Sequence, residues 1–123
     1  MQGRPLASAT ENYLRLNGKN LSEAEDLIRR GDFAQASEKL WGATAEIVKA
    51  VAAKRGVELG THASLWDYVS TLDSEHPRWN LRGDFSYMGN PHQNFYEDWL
   101  PEVYVKEGLE IARSFVKNLR TLL

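Results

Sequence analysis

The sequence contains no cysteine, which excludes disulfides, thiolate metal sites and cysteine nucleophiles and fits a reducing compartment. It also contains no run of about 18 consecutive apolar residues, so we expect neither a membrane span nor a signal peptide. Together these absences predict a soluble, cytoplasmic protein. At 123 residues, the chain is expected to form one domain over residues 1–123.

The sequence also lacks a large excess of either positive or negative charge. The net charge is −2 and acidic and basic residues are interspersed, so no molecule-wide basic field is available to grip nucleic acid. The three histidines have no ligand-like spacing with carboxylates, and the glycines do not form a phosphate-binding loop. The sequence therefore predicts neither a metal site nor a bound cofactor.

Residues 32–56 predict a central helix. Asp32 can cap its first turn, and Gly56 stands where a left-handed residue ends a helix. From Phe33 to Ala52, apolar residues recur at steps of three and four and form a stripe too wide for a helix with one buried face. Because many of these residues are alanines, we expect neighbouring helices to approach this helix closely on two or three sides.

Other segments predict further helices. Pro5 to Arg30 reads as one long amphipathic helix with a weak point around Gly18, two shorter helices being the alternative. Thr61 caps a short third helix, and a last helix follows Pro101. One face of the third helix is formed by Leu65, Trp66, Val69 and Leu72. No strand-like alternation occurs, so the prediction is an all-α, antiparallel bundle of four to five helices.

A regular apolar stripe also runs from residue 81 to residue 99. Its members are Leu81, Phe85, Met88, His92, Phe95 and Trp99, spaced by four and three. Pro91 requires either a kink in one helix or a second helix that starts with Asn90 as its cap. In both cases the stripe is expected to lie along the central helix.

The segment HQNFYEDW, residues 92–99, combines aromatic bulk with polar chemistry. A neutral His92 beside Tyr96 and Glu97 could transfer protons near pH 7, so these three residues are the candidate catalytic groups. The alternative is that the aromatic residues are packing and that His92 is a hydrogen-bonded interior histidine.

The helix QASEKLWGATAEIVKAVA and the segment HQNFYEDWL resemble the archaeal PaREP family of small helical proteins, which lies within the wider HEPN superfamily. The resemblance extends from about Leu21 to Leu119. It implies a HEPN-like bundle, commonly homodimeric, with an undefined biochemical role and with RNA, a nucleotide or a protein as candidate partner. The residues that match the family's His-x-Asn-Phe-Tyr-Glu run are His92, Asn94, Phe95, Tyr96 and Glu97, and Glu38 and Trp41 fall in the matching helix. The resemblance makes Asn94, Glu38 and Trp41 candidate binding residues.

Many HEPN proteins carry an Arg-x(4–6)-His ribonuclease motif, and this sequence departs from it. The nearest arginine before His92 is Arg82, ten positions away, while Arg55 and His62 fit the spacing but flank an expected loop. The favoured interpretation is therefore a homodimeric interaction module. The alternative is an RNA-cleaving enzyme that uses His92 with an arginine such as Arg82 near a dimer interface.

Overall fold

The structure is a computed structural model that describes the backbone of residues 3–97 and 102–123 and the side chains of residues 8–89 and 102–123. Its elements are α1 (Gly3–Arg29), α2 (Phe33–Lys54), α3 (His62–Glu75), a 3-10 turn (Pro77–Trp79), α4 (Leu81–Glu97) and α5 (Glu102–Arg120). Within these residues there are helices and no strands. The prediction of an all-α bundle is confirmed.

Helix α2 lies at the centre and contacts all four other helices. Leu40, Ile47 and Val48 are fully buried in its middle, as a helix surrounded by neighbours requires. The Asp32 carboxylate accepts a hydrogen bond from the backbone amide of Gln35 at 3.2 Å, which confirms the predicted cap.

Glycines in left-handed conformation end both α1 and α2. Gly31 has φ +80° and Gly56 has φ +79°. At each end, the residue after the glycine donates its amide to a carbonyl five positions earlier, from Asp32 to Leu27 and from Val57 to Ala52. This hydrogen-bond pattern closes the last turn and reverses the chain, so α1 and α2 form a tight antiparallel hairpin.

Along the contact between α1 and α2, the residues that face each other recur every seven positions in both helices. Thr10 Oγ1 donates to the carbonyl oxygen of Ala50 at 3.3 Å, and Asn17 Nδ2 donates to that of Ala43 at 2.6 Å. The same register brings Ala24 opposite Ala36, both fully buried. Helix α1 is continuous, as the sequence analysis favoured, and hydrogen bonds from its side chains to the backbone of α2 fix its register.

Helix α3 begins with a capping box in which Thr61 and Ser64 each accept the other's backbone amide at 3.0 Å. Leu65, Val69 and Leu72 are buried as expected. The assignment of Trp66 to the same buried face is wrong, because Trp66 is 38% exposed. It lies about 100° around the helix from Leu65, and the edge of its ring contacts Phe85 at a centroid distance of 4.5 Å.

Helix α4 continues through Pro91 as one element, so Asn90 does not start a separate helix. Leu81, Phe85 and Met88 are fully buried, and the Phe85 ring lies 5.1 Å from that of Trp41 on α2. The described part of the predicted stripe therefore lies along α2. The rest of the stripe, the side chains of His92 and Phe95 and the whole of Trp99, falls outside the described residues.

Candidate functional site

Four rings form a connected cluster between α2, α3 and α4, which we call the aromatic cluster: Trp41, His62, Trp66 and Phe85. Phe85 contacts Trp41 and Trp66 directly, and the rings of Trp41 and His62 are 6.1 Å apart. Phe85 is fully buried and Trp41 is 9% exposed, whereas His62 and Trp66 reach the surface. The cluster thus connects the core to solvent beside α3.

Two of the candidate binding residues, Trp41 and Glu38, lie on α2 at or beside this cluster. Trp41 belongs to it, and Glu38 stands three positions earlier, half-buried, about one turn away on the same side of the helix. Trp41 is a packing residue here, because its ring contacts Phe85 and His62 and little of it faces solvent. A binding role for Trp41 or Glu38 stays a prediction.

The segment that matches the family's run continues α4. Positions 92–97 are helical, and position 92 comes seven residues after Phe85, which places it on the same side of the helix. The side chains of His92, Asn94, Tyr96 and Glu97 lie outside the described residues. Their proposed catalytic and binding roles stay predictions.

Arg82, the candidate partner of His92, is engaged elsewhere. Its Nε lies 3.3 Å from Asp73 Oδ2, and its backbone amide donates to Asp73 Oδ1 at 3.3 Å. Ten residues of continuous helix separate the Cα atoms of Arg82 and His92 by about 15 Å along the axis. Two side chains on one helix do not bridge that distance, so an Arg82–His92 site requires two copies of the chain.

Arg55 and His62, the pair with motif-like spacing, also have separate roles. Arg55 Nη1 contacts both carboxylate oxygens of Glu75, at 2.9 and 3.1 Å, and so joins the end of α2 to the end of α3. His62 is the first residue of α3 and belongs to the aromatic cluster. This placement supports the interpretation that their spacing is coincidental.

Two titratable side chains of α4, Tyr87 and Asp84, have raised pKa values that no sequence pattern signals. The Tyr87 hydroxyl is 3.1 Å from both the Tyr104 carbonyl oxygen and Glu107 Oε1. Burial, and then the neighbouring Glu107, raise the pKa of Tyr87 to about 12. Burial also raises the pKa of Asp84. An acidic residue in the first turn of a helix is normally solvated, so only the packing of the helices could reveal Asp84.

The described residues hold no group of three or more histidine, aspartate or glutamate side chains positioned for a metal ion. Nor does the described part of the chain include a helix long and apolar enough to cross a membrane.

The comparison with protein families decides the relationship that the residue patterns suggested. The model of the archaeal PaREP1/PaREP8 family matches residues 12–116. The chain belongs to this family. A crystal structure of a Sulfolobus solfataricus protein superposes on this PaREP1/PaREP8 protein with a TM-score of 0.78 at 22% identity, over 87% of this chain and 95% of the other. That likeness establishes a shared fold. None of the curated proteins matches this PaREP1/PaREP8 chain.

Proposed function

We propose that this PaREP1/PaREP8 protein is a HEPN-like interaction module that forms a homodimer through one corner of the bundle. The α4–α5 corner comprises Tyr87, Val103 and Tyr104. Val103 is 62% exposed and Tyr104 is 48% exposed, the highest values among large apolar side chains in the described residues. Val103 and Tyr104 stand six and seven positions after the family's run ends at Glu97, and their exposure carries the proposal.

The local structure supports a defined contact surface at this corner. Tyr87 donates to the backbone of α5 and fixes the distance between the two helices. Beyond its first turn, α5 presents charged residues to solvent, including Lys106 and Glu110. Exposed apolar residues grouped beside a charged surface mark contact sites. In a two-fold symmetric dimer the same patch of both copies would face each other.

Sedimentation velocity at low and high micromolar concentration tests the dimer. We expect the wild type to dimerise as its concentration rises, and the double variant Val103→Ser with Tyr104→Ser to stay monomeric. Val57→Ser is the matched control, because Val57 is also an exposed apolar residue, at 38%, but lies in the α2–α3 loop. A wild type that remains monomeric at several hundred micromolar contradicts the proposal.

RNA cleavage is the competing function, and the geometry defines how to test it. Since Arg82 and His92 of one chain are about 15 Å apart along α4, any joint site would take one residue from each protomer. Mixing His92→Ala with Arg82→Ala would then restore about a quarter of wild-type cleavage, because half of the dimers would be mixed and each would hold one intact site. We expect neither cleavage by the wild type nor recovery in the mixture. Recovery of activity would replace the interaction module with an enzyme.

A further inference from the structure

The groove beside Lys49 lies between α1, α2 and the loop that joins α2 to α3. It consists of two adjoining cavities, of about 220 and 120 Å³, which share Lys49 and Leu59. Tyr13 and Val57 line the larger cavity, which opens toward α1. We infer that this groove, the Lys49 groove, binds a small planar anion of the aromatic carboxylate class.

The shape of the groove suits a single aromatic ring. The larger cavity, of about 220 Å³, exceeds the roughly 150 Å³ that is enough to hold benzene. The smaller cavity is lined by Trp41 and His62 of the aromatic cluster and by Ala45 on α2, so its wall includes two aromatic side chains against which a planar ligand can pack. Small-molecule sites combine apolar walls with a few placed polar groups, and in the smaller cavity Lys49, Thr61 and His62 supply polar groups.

Lys49 determines the charge of the ligand. Lys19, Lys39 and Lys106 form ion pairs with glutamates of the bundle. Lys49 is half-buried instead, and its Nζ lies 5.9 Å from the centroid of the Tyr13 ring. A cation over a ring at the junction of the two cavities remains able to pair with an incoming carboxylate.

Two carboxylates lie near Lys49, and neither lines the smaller cavity. Glu58 is exposed and lines the larger cavity alone. Glu46 stands one turn before Lys49, and Asn20 Nδ2 donates to its Oε1 at 3.3 Å. Burial raises the pKa of Glu46. Lys49 is thus the charged side chain common to both parts of the groove.

Three ligands of nearly identical shape test the inference: benzoate, benzamide and benzamidine, which are anionic, neutral and cationic. Each is titrated into ¹⁵N-labelled protein and followed by amide chemical shifts. We expect benzoate to bind at least about tenfold more tightly than benzamide, as one charge-assisted hydrogen bond predicts. Benzamidine should bind most weakly, and the shifts should centre on residues 41–49 and 57–62.

Variants assign the effect to its residue. Lys49→Met keeps the apolar stem and should abolish the preference of benzoate over benzamide. Lys106→Met, a lysine change on α5, should leave it intact, and Glu58→Gln should keep or increase benzoate affinity. The order of the three ligands tests the wild type by itself, so the result does not depend on how Lys49→Met folds.

The inference is wrong if benzoate does not bind at 20 mM, a concentration well above what any useful site requires. It is also wrong if benzamidine binds as tightly as benzoate, or if Lys49→Met still prefers benzoate over benzamide. The groove is separate from the α4–α5 corner, so the dimer proposal can fail without affecting this test.

Discussion

In the α1–α2 hairpin, small residues line the contact and side chains such as Asn17 bond to the opposite backbone, whereas α3 and α4 meet α2 through aromatic rings. The two contacts lie on opposite sides of α2, since Ala43 follows Trp41 by about 200°. A side chain that donates to a backbone carbonyl of the other helix allows only one alignment of the two helices. The ring pairs Trp41–Phe85 and Trp66–Phe85, tilted by 43° and 79°, fill space without contacting the backbone in this way.

The difference has a functional consequence. The buried Asn17 of the hairpin has both ends of its amide satisfied: Nδ2 donates to the Ala43 carbonyl within the hairpin, and Oδ1 accepts from Arg120 on α5 at 3.3 Å. The aromatic side keeps ring surface in contact with solvent at Trp66, and its Trp41 and His62 line part of the Lys49 groove. We therefore regard the hairpin as the scaffold of the bundle. The α4–α5 corner is the proposed contact surface for a second copy, and the Lys49 groove at the edge of the hairpin is the proposed site for a small ligand.

The largest effect is expected from Phe85→Ala. Phe85 is fully buried and contacts rings on α2, α3 and α5, among them Phe115 at 6.1 Å. Removing it leaves a cavity where three elements meet and should lower the free energy of unfolding by about 3–5 kcal/mol, measured by urea denaturation. Trp66→Ala, at a partly exposed position, should cost clearly less. Equal losses would mean that Phe85 is not the centre of the cluster.

Asn17→Ala tests the hairpin side. Asn17 is fully buried, so its loss should cost about 1–3 kcal/mol, through the hydrogen bonds to α2 and α5. Asn12→Ala is the control, because Asn12 lies exposed on the same helix and should change stability by less than about 0.5 kcal/mol. Similar losses of unfolding free energy for the two variants would contradict the claim that buried hydrogen bonds align α1 with α2.

Two glycine substitutions measure how closely α1 approaches α2. At Gly18 an added Cβ meets nothing within 4 Å, so Gly18→Ala should stabilise the protein by about 0.5–1 kcal/mol through helix propensity. At Gly42 the Cβ would come within 2.8 Å of Asn20 Nδ2, which bonds to Glu46. Gly42→Ala should therefore be at least about 1 kcal/mol less favourable than Gly18→Ala. If Gly18→Ala and Gly42→Ala shift the melting temperature equally in calorimetry, Asn20 does not lie as close to Gly42 as the structure places it.

The smallest effect is a pH dependence at the α4–α5 corner. Tyr87 has a pKa of about 12 in the folded protein, above its ordinary value near 10, so folding favours the protonated hydroxyl. The resulting stabilisation is fully present below pH 10 and is lost as the pH rises from 10 to 12. Tyr87→Phe should show a shallower loss of stability over this range in thermal melts. Parallel curves would contradict the raised pKa of Tyr87.

The sequence predicted the helices well, because their signals are local. Asp32 and Thr61 cap helices through their own first turns, and Gly56 ends α2 by its own backbone freedom. The amphipathic pattern of residues 5–30 predicted a long first helix, and the alanines of α2 predicted that neighbouring helices approach it closely. Continuity through Pro91 stayed open, since a proline permits either a kink or a restart.

Features that depend on a neighbouring helix could not be predicted in the same way. Asn17 belongs to the segment that suggested a weak point in α1, yet it is buried because Ala43 and Arg120 supply its hydrogen bonds. Trp66 fits an apolar face by spacing, and only the position of α4 leaves part of it exposed. The Lys49 groove joins residues from α1, α2 and the following loop, and no single segment signals it.

An NMR dilution series tests the central claim, that the hairpin is scaffold and the α4–α5 corner is the contact surface. Amide spectra recorded from several hundred to a few micromolar show which residues respond to self-association. We expect the shifts to concentrate at residues 87 and 103–107 and to leave residues 10–53 unchanged. Shifts centred on the hairpin, or spectra independent of concentration, would contradict the account.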